Sequence, residues 1–119
     1  MDAKTFDAIV ARARARQDAI LRTKGADYTR HEEDRLSNFK RVAEALDLSP
    51  FRVWAIFAMK HIDAIMAFIK TGKTESESIE SRIDDVHNYL YLLEGLIEEE
   101  EGAAYAAAQE VEGPNEARY

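Results

Sequence analysis

With 119 residues, no cysteine and a formal net charge of −7, the chain is sized for one domain with its own core and can hold neither a disulfide framework nor a thiolate zinc site. The acidic balance opposes generic nucleic-acid binding, which needs basic surface to displace counterions, and leaves small ligands or a basic protein surface as partners. The N-terminus mixes charged and apolar residues instead of forming a leader, and the most apolar run, 51–69, is interrupted by Arg52, Lys60, His61 and Asp63, so the expectation is a soluble cytoplasmic protein without a membrane span.

The spacing predicts a first helix over about 5–23, with Phe6, Ile9, Val10, Ala13, Gln17, Ile20 and Leu21 on one side and Gly25 as its stop. Arg12, Arg14, Arg16 and Arg22 cannot all face one ligand and read mostly as solvated surface, with a phosphate contact open to one of them. The next stretch, KGADYTRHEED, lacks helical periodicity and reads as a loop carrying Lys24, Asp27, Tyr28 and His31. A second helix is expected over about 33–46, burying Leu36, Phe39, Val42, Ala43 and Leu46. Asn38 is its odd residue: either a surface position or an amide aimed at a ligand.

Ser49 and Pro50 form a strong helix start, a capping hydroxyl followed by proline in the first turn, and Gly72 ends the third helix. This helix is apolar nearly all round, which predicts a central position or a subunit interface. Lys60 stands out there: a functional ammonium is one reading, a lysine snorkelling to water or pairing with Asp63 the other. Thr74 and Glu77 have capping-box spacing.

The fourth helix is expected from about 75. Ile79, Ile83, Val86, Leu90, Leu93 and Ile97 form one continuous seam that other helices should cover. Glu77, Ser81, Asp85 and Asn88 make a polar row whose oxygen atoms suit a hard cation such as Mg2+, although acids also populate first turns for the sake of the helix dipole. Asp85 lies at the edge of the apolar face and should be partly buried. The helix should continue to about 110, with Gly113 and Pro114 leading into a frayed tail over 113–119 and a single domain over 1–112.

The segment ESIESRIDDVHNYLYLL resembles a pattern of the phage and bacterial nucleotide modification associated domain family, within the all-α, MazG-like group of nucleoside triphosphate pyrophosphohydrolases. KGADYTRHEEDRLSNF and AMKHIDAI resemble that family's upstream stretches in the same order. The resemblance implies a four-helix core completed by oligomerisation, with Mg2+ held by Glu77, Glu80 and Asp85 and a nucleotide met by Lys24, Asp27, Tyr28, Asn38, Lys60 and Asn88. It assigns no catalytic residue here, and two departures stand out. Position 81 is serine where the family has an acid, and the EExxE half of the metal motif is missing, since Glu32 and Glu33 are followed by Leu36.

Three readings remain open from the sequence: a Mg2+-dependent pyrophosphohydrolase or nucleotide-modification accessory protein, a binder that sequesters a nucleotide or cyclic nucleotide without turnover, and an acidic inhibitor seated on a basic, nucleic-acid-binding protein surface. All three are cytoplasmic, the host's cytoplasm for a phage protein. The apolar excess of the third and fourth helices further predicts a homodimer or larger homo-oligomer.

Overall fold

The structure, a computed structural model, describes residues 1–28 and 34–111, and the side chains of these except 24–28, 105, 110 and 111. Among the described residues it is all-α, with four helices and no strand: α1 (Ala3–Tyr28), α2 (Ser37–Leu46), α3 (Pro50–Thr71) and α4 (Ile79–Val111). None of these helices is long and apolar enough to cross a membrane.

Local capping chemistry explains most of the boundaries. Asp2 accepts the Thr5 N–H at 2.7 Å and starts α1 slightly ahead of its apolar pattern. The helix then runs through Gly25 instead of stopping there, because an interior glycine costs only about 1 kcal/mol relative to alanine. Residues 24–28, expected in a loop, are therefore the last turn of α1, while His31 lies outside the described residues.

The second helix starts at Ser37, later than its apolar pattern suggests. The Asp34 carboxylate accepts the Leu36 N–H at 2.9 Å and so shapes the turn that precedes the helix. Ser49 accepts the Arg52 N–H at 3.2 Å and Gly72 closes α3 at φ 73°, as their sequence signals imply. The start of α4 is a correction. Ser78, not Thr74, caps it by accepting the Ser81 N–H at 3.1 Å, so the helix begins at Ile79 and Glu77 stands before it, outside any capping box.

The core forms where α2 meets α3 and α4. Phe39 places its ring 6.0 Å from Phe57 and 6.1 Å from Tyr89, and Leu36, Ala43, Val53 and Leu96 are buried around it. Trp54 ties α3 to α4 by donating its indole N–H to the Tyr89 carbonyl at 2.6 Å. Lys40 bridges Asp34 and Glu99, linking α2 to α4. That pairing holds the Asp34 carboxyl below its usual range, through the Lys40 ammonium first and the Leu36 N–H second.

Because the folded value lies below the unfolded one, Asp34 adds stability above the ordinary carboxylate pKa of about 4 and loses it as pH falls through the depressed value. Both partners are well exposed, so Lys40→Ala should cost under about 1 kcal/mol, and less of that at pH 3 than at pH 7 in denaturant titrations.

Several burial expectations are overturned. Phe6 and Leu46 are exposed, as are Met59, Ile62, Met66 and Ile69 along one side of α3. The seam of α4 is not covered by the other helices: Ile83, Leu90 and Ile97 are exposed, while Asp84, Asp85, Asn88 and Leu96 are buried. A helix turns inward whichever face finds partners, and here the polar residues find them. Asp84, 2% exposed, accepts from Arg16 Nε at 2.9 Å and Gln17 Nε2 at 3.2 Å, which fastens α1 to α4. Arg16 is thus an ion-pair partner and not free surface, and the same contact raises its pKa.

Candidate ligand-binding site

The short α2 packs on Phe57 and Tyr89, toward one end of the α3–α4 pair. Toward the other end, the C-terminal half of α3, residues 73–77 and the start of α4 surround a cavity of about 890 Å3. Ala64 and Ala67 leave room on the α3 side, since small side chains let the wall recede. Three cations line it, Lys60 from α3, Lys73 from the connector and Arg82 from α4, and so do four carboxylates, Asp63, Glu75, Glu77 and Asp85.

Arg82 is held in place by its neighbours. One terminal nitrogen lies 3.8 Å from Glu77 and the other 3.5 Å from the Ser76 hydroxyl. Its Nε–H is buried and finds no acceptor among the described residues. A buried donor left in this way is an energetic liability that an anionic ligand would relieve.

His61 and Asp85 also line the cavity, both buried, with Nδ1 and Oδ2 3.5 Å apart. The His61 ring stacks 4.9 Å from that of Tyr89. This places an imidazole beside a carboxylate at the wall of the cavity. A second cavity of about 230 Å3 shares Lys60 and is lined by Arg35, Asn38, Leu92 and the rings of Phe39, Phe57 and Tyr89.

The residues expected from the sequence are divided by this geometry. Glu77 and Asp85 open on the larger cavity, Asn38 on the smaller, and Lys60 on both. Glu80 is exposed, lines neither cavity, and acts electrostatically on Arg16. Asn88 is buried, with an Oδ1 that has no hydrogen-bond partner among the described residues, but it also lines neither cavity. The side chains of Lys24, Asp27 and Tyr28 lie outside the described residues.

Among the described residues, no group of three or more His, Asp or Glu side chains is placed to hold a metal ion together. Glu77 accepts from the Ser81 hydroxyl at 3.2 Å and approaches Arg82, while Asp85 faces His61.

Sequence reasoning passed over Arg82, Lys73, His61 and the pair Arg16–Asp84. One signal was present: Gln17 sits in the middle of an apolar helix face, and a buried amide there demands a polar partner. Comparison with protein-family models, with curated proteins and with solved structures gives no match. The fold and the site define an all-α protein with a cavity between two helices that is lined by both cations and carboxylates.

Proposed function

We propose that this chain binds a nucleotide. Its phosphates would lie against Lys60, Lys73 and Arg82, and its base in the aromatic cavity beside Asn38. The observation that carries this reading is the buried Arg82 Nε–H without an acceptor, set among two lysines around a cavity of about 890 Å3. Guanidinium groups match phosphate oxygens in a planar fork, and the volume falls in the range of small-molecule sites. The smaller cavity adds ring faces for stacking and an amide for a base edge, joined to the larger cavity through Lys60.

The resemblance to nucleotide modification associated and MazG-like proteins supports the same ligand class. It also carries the stronger form of the proposal, Mg2+-dependent release of pyrophosphate in a phage or bacterial cytoplasm; sequestration without turnover is the weaker form. The binding unit is proposed to be a homo-oligomer, because α3 and α4 leave apolar side chains uncovered.

Calorimetry against a panel of nucleoside mono-, di- and triphosphates, with and without Mg2+, tests this. Binding is expected to weaken at least about tenfold in Arg82→Gln and in Lys60→Ala, the loss of one charged hydrogen bond each. An Asp85→Asn protein that keeps its affinity but loses a Mg2+-dependent gain places the ion at that carboxylate. Pyrophosphate release separates the enzyme from the sequestering protein. No heat across the panel, together with a salt-sensitive complex on a basic protein that ignores both substitutions, replaces the reading with the acidic inhibitor.

A further inference from the structure

The outer sides of α3 and α4 carry a pattern that the single chain does not use. On α3 the exposed Met59, Ile62, Met66 and Ile69 are spaced 3, 4 and 3, and on α4 the exposed Ile83, Leu90 and Ile97 are spaced by sevens, with Val86 and Leu93 between them. A spacing of this kind averages 3.5 residues and is what two helices need to keep packing along a left-handed crossing. At 100° per residue, each stripe lies about half a turn from the residue that faces α2, Phe57 on α3 against Phe39 and Gly95 on α4 against Leu36. Both stripes therefore sit on the side of the α3–α4 pair turned away from α2 and form one apolar face. These side chains are each roughly half-exposed, so the face is on the order of the 800 Å2 that one partner gives a standard interface, above the patch size usual for a monomer.

We infer that this face is covered by a second copy of the same chain, with α3 of one protomer lying on α4 of the other. This deepens the oligomer reading above and is independent of the ligand. Charge placement selects both the occupant and the arrangement. Arg52 and Lys70 border the α3 stripe near its two ends, and Glu94 and Glu80 border that of α4. Within the chain the helices run antiparallel, with Trp54 beside Tyr89 and His61 beside Asp85. A two-fold axis parallel to the helices keeps that register between copies, bringing Arg52 to the partner's Glu94 and Lys70 to the acidic start of the partner's α4. A two-fold axis across the helices would instead stack α3 on α3, with Arg52 near the partner's Lys70. The first arrangement is self-complementary, as an isologous interface must be.

The test uses the full chain in two measurements. Sedimentation at tens of micromolar should give twice the 13.5 kDa of the chain, and Leu90→Glu and Met66→Glu should each give a monomer with helical circular dichroism retained. The chain has no cysteine, so single-cysteine proteins report the geometry directly. Ile56→Cys mixed with Leu90→Cys should cross-link into a mixed dimer on mild oxidation, whereas Ile56→Cys mixed with Glu44→Cys, on the exposed side of α2, should not. A monomeric wild type overturns the oligomer reading and this interface together. A dimer that ignores both glutamate substitutions and gives no mixed cross-link overturns the interface alone.

Discussion

Arg16→Ala should lower the stability of the chain well beyond any other arginine substitution on α1, because it leaves a buried carboxylate without its cation. Asp84 is 2% exposed and takes two hydrogen bonds from the Arg16 guanidinium, at 2.9 and 3.3 Å, and one from the Gln17 amide. With Arg16 gone only the amide remains, and it cannot neutralise the charge. The effect should fall short of that of a fully buried pair, since the guanidinium itself is partly solvated and water can follow its path. Arg14→Ala and Arg22→Ala are the controls. Arg14 is exposed, and Arg22 only meets Asp18 one turn away on the surface, so each should change stability by no more than about 0.5 kcal/mol. Urea unfolding followed by circular dichroism decides: a loss below about 1 kcal/mol for Arg16→Ala would mean that the α1–α4 ion pair does not hold the helices together.

Phe39→Ala should have the largest effect of any single truncation, about 4 kcal/mol. Its ring is 5% exposed and lies against Phe57 and Tyr89, so removal forfeits apolar burial, two ring contacts and the filling of the space between three helices. The ten-residue α2 has no side-chain cap at Leu36 and is too short to persist without packing, so it depends on this anchor. Leu46→Ala at the end of the same helix should cost under about 0.5 kcal/mol, because Leu46 is 62% exposed. Thermal melts of both variants give the comparison, and equal shifts would refute this account of the core.

The site was legible in fragments. Lys60 was marked by a charge on an otherwise apolar helix, and Asp85 by its place at the edge of an apolar face, and both line the larger cavity. Asn38 was marked as an amide beside a core phenylalanine and lines the smaller one. Arg82 carried no such mark, because an arginine in a first turn next to acids is what a solvated helix start also looks like. Its role depends on Glu77 and Ser76 holding the head group from outside the helix.

By itself the sequence determined the all-α class and both ends of α3. Ser49, Pro50 and Gly72 bound α3, because caps and breakers act within a few residues through backbone hydrogen bonds and φ preferences. Only the tertiary structure decided which side of each helix faces the core. Periodicity shows that Ile83, Leu90 and Ile97 share a face and that Asp84 and Asn88 share another, yet it does not say which is turned inward. That choice rests on partners 67 and 68 residues away, Gln17 and Arg16, whose hydrogen bonds make a buried Asp84 tolerable and leave the apolar seam on the outside.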